Sequence, residues 1–181
     1  MNDDTVRRQS RRETERRSAR TCSSRSILSG REIMNKDLMY KALELAKKAG
    51  EAGDVPVGAV IVKDREIIAT GRNRREEAKD PTAHAEIEAI KEAAERLGSW
   101  HLEDCELYVT LEPCPMCAGA IINSRIKRVI FGAYEPKSGS CSAESVVDLF
   151  GLPYNHTPEV YGGICEAECS EIMTKFFKDK R

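Results

Sequence analysis

Residues 106–133 read ELYVTLEPCPMCAGAIINSRIKRVIFGA, and they carry the clearest fold signal in the chain. Residues 106–111 and 128–133 are short segments rich in strand-forming side chains, whereas residues 114–124 have the apolar pattern of a buried helix. A strand, a crossover helix and a second strand predict two parallel neighbours in one sheet.

Helices and strands also alternate on either side of this segment. A helix is predicted to begin at Pro81, behind Asp80 as its N-cap, and to end near Leu97. The alternation predicts an α/β protein with a single sheet covered on both faces. The other predicted elements are a helix over 36–52, a hairpin of strands 57–62 and 66–70, a short helix over 142–150, an edge strand at 160–161 and a final helix over 164–178.

Two short motifs supply side chains that bind metals and move protons. Residues 81–86 read PTAHAE, and residues 112–117 read EPCPMC. Together they offer the imidazole of His84, the thiols of Cys114 and Cys117 and the carboxylate of Glu86. Three protein ligands with an open fourth position are typical of a catalytic zinc site, whereas a fourth protein ligand closes a structural one.

The spacing within each motif suits these roles. Cys114 and Cys117 are three residues apart and therefore share one face of the predicted helix. Cys114 lies at the start of that helix, where the helix dipole favours a thiolate. His84 and Glu86 are two residues apart and point in different directions, so one can bind a metal while the other reaches a substrate.

Each motif alone leaves several interpretations open. A Cys-x-x-Cys pair serves equally as a redox pair, half of a structural zinc site or two buried thiols, and a lone His-x-Glu carries little information. The combined pattern, His-x-Glu followed by Pro-Cys-x-x-Cys, resembles the signature of the zinc-dependent nucleobase deaminases.

From about residue 36 to residue 178 the chain resembles the bacterial tRNA-specific adenosine deaminases. This resemblance implies a three-layer α/β/α cytidine-deaminase-like fold with one mixed sheet of about five strands. It also implies a homodimer with one Zn²⁺ per subunit that converts the wobble adenosine of a tRNA anticodon stem-loop to inosine. The matching segments are VPVGAVIV at 55–62, GRNR at 71–74, DPTAHAE at 80–86, LYVTLEPC at 107–114, SRI at 124–126, FGA at 131–133, PKSG at 136–139 and NH at 155–156.

The resemblance further implies a hydrolytic mechanism. Zinc on His84, Cys114 and Cys117 is expected to lower the pKa of a bound water so that it attacks C6 of the base. Glu86 is then the proton shuttle, which takes the proton of that water and passes it to the ring nitrogen, and which afterwards carries a second proton to the departing ammonia.

Substrate contacts are implied at five positions. Asn73 matches a family residue that hydrogen-bonds the nucleoside, and the small Ala85 allows its backbone to approach the substrate. Glu135 and Lys137 lie in a loop that matches an RNA-contacting one, although the family commonly has Asp where this chain has Glu135. His156 either contacts a flipped base or is an ordinary loop histidine, and the sequence favours neither.

Two rival functions remain at this point. Guanine deaminases and other free-base deaminases share the zinc signature, but guanine deaminases tend to carry Cys before Glu-Pro-Cys, where this chain has Leu111. A non-enzymatic alternative is a zinc-stabilised RNA-binding module, and such a module has no need of Glu86.

Composition predicts one domain preceded by a tail. Residues 1–33 hold nine Arg and five Asp or Glu, and their scarcity of large apolar side chains predicts disorder. Three explanations are open for this segment: a spurious upstream start with Met34 as the true first residue, a basic tail that touches RNA, or a transit peptide. Residues 34–181 then form the deaminase domain.

The remaining features predict a cytoplasmic protein. Seven cysteines are an odd number, which favours a reducing compartment over a disulfide framework, and no apolar run is long enough to span a membrane. Trp100 and Leu102 are expected to pack against other residues and His101 to be exposed. The cysteines outside the metal motif and the tail are expected to be core residues, namely Cys105, Cys141, Cys165 and Cys169.

Overall fold

The computed structural model describes residues 32–143 and 145–180. These residues form five helices and five strands, which are interspersed along the chain. The helices are α1 (Glu32–Glu51), α2 (Arg75–Ala78), α3 (Ala85–Leu97), α4 (Pro115–Ser124) and α5 (Glu166–Asp179), and the strands are β1 (Gly58–Lys63), β2 (Glu66–Arg72), β3 (Glu106–Leu111), β4 (Arg128–Ala133) and β5 (Glu159–Tyr161).

One mixed sheet joins all five strands in the order β2-β1-β3-β4-β5. Strand β1 is antiparallel to both β2 and β3, whereas β3 is parallel to β4 and β4 is parallel to β5. The helix α4 links β3 to β4, as a parallel connection requires. The predicted mixed sheet and its central parallel pair are confirmed.

Helices cover both faces of the sheet because the buried side chains of each strand alternate between the faces. In β3, Leu107 and Val109 belong to one apolar cluster and Tyr108 belongs to the other. The first cluster contains the buried residues of α3 and α4, and the second contains those of α1 and α5. The predicted α/β/α layering is therefore confirmed.

A glycine in β2 lets helix α3 approach the sheet closely. A Cβ added to Gly71 would overlap the carbonyl oxygen of Ala85 and lie 2.7 Å from the backbone nitrogen of Ala89. No larger residue fits there without moving the helix. Because Ala85 is the first residue of α3, this contact sets where the motif at residues 81–86 lies relative to the sheet.

The predicted start of α3 is wrong by four residues. Asp80 does not cap a helix, because its Oδ1 accepts hydrogen bonds from the backbone nitrogen of Thr82 at 2.8 Å and from the Thr82 hydroxyl at 2.7 Å. This bonding closes a local turn, and the helix begins at Ala85 with His84 as its N-cap. Pro81 therefore lies in a turn and not at the first helical position.

Other boundaries also differ from the prediction. The described residues between 142 and 150 form turns and bends and no regular helix; Ser142 bonds through its backbone nitrogen and its hydroxyl to Ser145 Oγ, which favours a turn. Helix α2 was not predicted at all. Trp100 is 59% exposed and packs against the ring of His101, with the ring centroids 3.6 Å apart, whereas Leu102 is buried and His101 is exposed as predicted.

The predicted N-terminal tail lies largely outside the described residues. The prediction of disorder for residues 1–33 concerns positions that, up to residue 31, the structure does not describe, and residues 32 and 33 belong to α1. Helix α1 accordingly starts earlier than residue 36. No helix in the described part of the chain is long and apolar enough to cross a bilayer.

Candidate metal centre

Two helices begin at the predicted metal motif. His84 is the N-cap of α3 and Cys114 is the N-cap of α4, and neither side chain makes a capping hydrogen bond. Both N-cap residues have extended backbone conformations, and Pro115 follows Cys114 at the first helical position, where its fixed φ is favourable. The imidazole and the thiol are therefore free to face a shared ligand at the positive ends of two helix dipoles.

The three predicted ligands lie together. His84 Nδ1 is 3.7 Å from Cys114 Sγ and 3.5 Å from Cys117 Sγ, and all three ligand atoms lie within 4.8 Å of one another. Tetrahedral zinc, with Zn–N near 2.0–2.1 Å and Zn–S near 2.3 Å, requires N···S separations of about 3.6 Å. The donor set and its spacing thus fit Zn²⁺ with one open coordination position.

The ionisation state of Cys114 favours the binding of a metal cation. The Cys117 thiol donates a hydrogen bond that lowers the pKa of Cys114 to about 4, and His84 contributes in the same direction. The hydrogen bond to Cys114 in turn raises the pKa of His84. Cys114 is therefore a thiolate at neutral pH, in the ionisation state that a metal ligand needs.

Glu86 lies beside the ligands and is almost completely buried, at 4% exposure. Burial raises the pKa of its carboxyl, because the charged form loses its hydration. The Cys117 thiol also interacts with the carboxyl. A buried carboxyl with a raised pKa next to a metal-binding group has the properties of a proton carrier.

A cavity of about 80 Å³ opens over this group. Asn73 and Ala85, two of the predicted substrate-binding residues, line it together with His84, Glu86 and Cys114. The other lining residues carry no local sequence pattern that marks them as part of a site; they are Val57, Arg75, Leu111, Glu112 and Ser138.

Asn73 has one side of its amide committed to the protein. Its Oδ1 accepts from the backbone nitrogen of Arg75 at 3.2 Å, and its own backbone nitrogen donates to the Val57 carbonyl at 3.0 Å. No residue in the described ranges accepts a hydrogen bond from its Nδ2. Asn73 is 5% exposed, so its Nδ2 is a largely buried donor that a group in the cavity can use.

Glu135 and Lys137 line a different groove. It has a volume of about 700 Å³ and lies between the residues that follow β4 and one side of α5, where Met173 and Phe177 contribute. The Glu135 carboxylate accepts from the backbone nitrogen of Lys137 at 2.9 Å. Ser138 connects the two regions, because it follows Lys137 directly and lines the smaller cavity.

The structure does not bring His156 to the metal group. Its Nε2 is 2.6 Å from the carbonyl oxygen of Ile126, which lies just before the amino end of β4. The candidate ligands Cys114 and Cys117 follow the carboxyl end of β3, which is parallel to β4. His156 therefore lies at the opposite end of these strands and binds the backbone there.

The other described cysteines are separate from the metal group. Cys105, Cys141 and Cys169 are buried, Cys165 is half-buried, and none of the four forms a disulfide. Burial raises the pKa of each thiol, to about 12 for Cys169. Cys105, Cys141 and Cys169 are therefore neutral core residues as predicted, whereas Cys165 is a neutral thiol at the edge of the core.

Known proteins are similar to this chain over most of its length. The model of the MafB19-like deaminase family matches residues 33–181. The tRNA-specific adenosine deaminase of Bacillus subtilis (strain 168) is 48% identical over 150 residues, which cover 82% of this chain and 92% of that protein.

Solved structures show the same fold. A chain from a study of A-to-I editing by tRNA:A34 deaminases at the wobble position of transfer RNA has a TM-score of 0.72 and 49% identity, and the match covers 75% of this chain and 98% of that one. A guanine deaminase from Bacillus subtilis has a TM-score of 0.53 and 48% identity, but the match covers 55% of this chain and 64% of that one.

Proposed function

The chain belongs to the tRNA-specific adenosine deaminases, a family of hydrolases, and from this premise we propose that it converts the wobble adenosine of a tRNA anticodon to inosine. The observation that carries the proposal is the buried carboxyl of Glu86 beside the His84, Cys114 and Cys117 side chains. A module that only bound RNA or zinc has no use for a buried carboxylate at that position. Burying a carboxylate costs free energy because the charged group loses its hydration.

Zinc is the proposed cofactor, one ion per chain, held by His84, Cys114 and Cys117. One imidazole and two thiolates at tetrahedral spacing favour Zn²⁺ over the harder cations that prefer oxygen ligands. When bound, the ion supplies a water whose pKa is low enough for a nucleophile to exist near neutral pH.

Glu86 is proposed to move the protons of the reaction. Its carboxylate accepts a proton from the attacking water and gives it to the ring nitrogen; it then takes the remaining proton from the new C6 hydroxyl group and delivers it to the amino group, which leaves as ammonia. Its burial supports this role, because a carboxyl with a raised pKa holds a proton at neutral pH more readily than an exposed one does. The same burial keeps bulk water away from the transferred proton.

Four further residues are proposed to bind the substrate. Asn73 Nδ2 donates to the nucleoside, and the backbone around Ala85 lies against the base, since both residues line the cavity. Glu135 and Lys137 contact the RNA on either side of the target, in the adjoining groove. Anticodon bases are already unpaired, so moving one into the small cavity costs little stacking energy.

The assembly and location belong to the same proposal. We expect a homodimer in which α4 packs across the subunit boundary, because Met116 on α4 is 37% exposed and a Cβ added to Gly119 meets nothing within 4 Å. We expect the enzyme to act in the cytoplasm, where tRNA is available and thiols stay reduced.

The test is deamination of an anticodon stem-loop with adenosine at the wobble position, with free guanine as a parallel substrate. Zinc-loaded protein is expected to form inosine and to leave guanine unchanged. Glu86→Gln is expected to reduce turnover by at least about 10³-fold, because the proton carrier is lost while the cavity keeps its shape. Mass spectrometry of nuclease digests measures the inosine.

Glu95→Gln is the matched control, since Glu95 is an exposed carboxylate on the same helix, and it should edit at the wild-type rate. Formation of xanthine with unmodified RNA would make the protein a guanine deaminase. Full editing by Glu86→Gln would remove the proposed role of the carboxylate and return the RNA-binding interpretation to consideration.

A further inference from the structure

We propose that Glu112 is a positioning residue whose buried carboxylate holds the RNA-contacting loop over the cavity. This loop, which we call the cavity loop, comprises residues 135–141. The proposal rests on the proposed function for what the loop contacts, but the anchoring itself concerns the protein alone. Glu112 follows β3 and precedes the ligand Cys114 by two residues, so the anchor is fixed to the sheet next to the metal group.

The carboxylate binds both ends of the cavity loop. One oxygen, Oε2, accepts from the backbone nitrogen of Glu135 at 3.2 Å. The other, Oε1, accepts from the backbone nitrogen of Cys141 at 3.1 Å and from the hydroxyl of Ser145. Glu112 is only 3% exposed, so these bonds are shielded from water and are charge-assisted.

The loop is built to wrap around this carboxylate. A Cβ added to Gly139 would overlap Glu112 Oε2 and lie 2.6 Å from the carbonyl oxygen of Glu135. Glycine is therefore the residue that permits the close approach. The neighbouring carbonyl of Pro113 accepts from the Ser140 backbone nitrogen at 3.1 Å and from the Ser140 hydroxyl at 2.8 Å, which adds a second tie at the same place.

These contacts fix the residues proposed to meet the RNA. Glu135 and Lys137 line the outer groove and Ser138 lines the cavity, and all three belong to the cavity loop. If the loop moves, these side chains lose their positions relative to the metal group. Both oxygens of Glu112 already accept hydrogen bonds from the protein, so its carboxylate serves as an anchor and Glu86 remains the proton carrier.

Glu112→Gln tests the anchor with little change in shape. An amide offers one oxygen and one NH₂ group, so either orientation directs a donor at the backbone N–H of Glu135 or of Cys141. Hydrogen exchange of these two amides is expected to accelerate by about tenfold or more. The KM for the anticodon stem-loop is expected to rise about tenfold, while kcat at equal zinc content stays within about threefold.

Two further variants keep the test decisive. Glu106→Gln alters a carboxylate at the opposite end of β3 that binds Arg128, and it should leave both the exchange rates and KM unchanged. Gly139→Ala disturbs the same contact from the loop side, and it should reproduce the faster exchange and the higher KM. This second variant decides the matter if Glu112→Gln does not fold.

The exchange rates and the kinetic constants together decide the proposal. Faster exchange together with a higher KM supports the proposal. Unchanged exchange in both Glu112→Gln and Gly139→Ala overturns it, and so does a large loss of kcat at constant KM, because that places Glu112 in the chemistry. If the wild-type protein edits no RNA but the exchange result holds, the proposed function fails while the anchor stands.

Discussion

His84 and Cys114 occupy the same local position in two different helices. Each is an N-cap whose side chain makes no capping hydrogen bond to the helix and lies instead in the candidate metal group. A Ser or Asp at either position would stabilise its helix by about 1 kcal/mol more than a residue that cannot cap. The two residues therefore indicate where function overrides local helix stability.

The thiolate of Cys114 leads to a test with metal-free protein. At pH 6 the solution is above the pKa of about 4 for Cys114, so this sulfur is anionic and should react with iodoacetamide. Burial raises the pKa of Cys165 above its usual value, so that thiol stays protonated at pH 6. We expect preferential labelling of Cys114, as measured by peptide mass spectrometry.

Cys165 is a matched internal control because it is also a half-buried N-cap, here of α5. Added Zn²⁺ should protect Cys114 and leave the labelling of Cys165 unchanged. Equal labelling of the two thiols in the metal-free protein would contradict the assigned ionisation of the group.

The grouping of these side chains could be predicted from the sequence because it depends on local spacing. The proposed ligands His84, Cys114 and Cys117 and the proposed proton carrier Glu86 lie in two short motifs, and the structure brings all four side chains together. His156 could not be placed in this way, since its partner is the carbonyl of Ile126, thirty residues earlier in the chain. Long-range contacts of this kind leave no local pattern.

At the scale of elements, the contact between β2 and α3 controls the site. Gly71→Ala is expected to lower the free energy of unfolding by about 1–3 kcal/mol, because the added methyl group forces the backbone of α3 away from the sheet. Urea denaturation measures this loss. Because α3 begins at the metal motif, the variant should also bind less zinc per chain.

Thr70→Ala is the control on the same strand. Thr70 is exposed, and its side chain loses only a surface hydrogen bond to Glu92 at 3.4 Å, so the change should stay within about 1 kcal/mol. A Gly71→Ala variant as stable as Thr70→Ala would mean that α3 can shift without cost.

The element boundaries that the sequence missed have two physical causes. Asp80 has the composition of an N-cap, but its carboxylate closes a turn onto Thr82. Helix α2 has no capping side chain of its own; the buried Asp54, more than twenty residues earlier, accepts from the backbone nitrogens of Glu76 and Glu77 at 2.7 and 3.3 Å. A side chain distant in sequence decided the structure in the second case, and competing local bonds decided it in the first.

For the whole molecule, the proposed homodimer makes α4 a contact surface. The wild-type chain is expected to sediment as a dimer, and Gly119→Arg as a monomer, because the large side chain fills the open space above this helix. Sedimentation velocity measures the mass, and circular dichroism shows whether the variant is folded. Editing should fall together with dimerisation if the partner completes the RNA surface.

Tyr161→Asp provides the comparison, since Tyr161 is 51% exposed on the edge strand β5 and away from α4. It should remain dimeric. A wild-type monomer at micromolar concentration would remove α4 from the list of contact surfaces.

The topology of the whole sheet could be predicted further than its substrate. The parallel pair β3–β4 follows from the strand, helix and strand pattern, and the hairpin β1–β2 follows from a short turn. The cavity loop does not follow, because its shape depends on Glu112 and on bonds that cross more than twenty residues. We propose that substrate choice is set in this loop and in the adjoining groove.

The metal ligands come from two segments, and His84 is thirty residues from Cys114. An ion held by both is a cross-link that exists only in the folded chain, so zinc and stability are thermodynamically linked. Above its dissociation constant, each tenfold rise in free zinc adds about 1.4 kcal/mol to the free energy of unfolding. If zinc binds as proposed, a chelator added in an activity assay is therefore expected to destabilise the folded chain as well as to inhibit it.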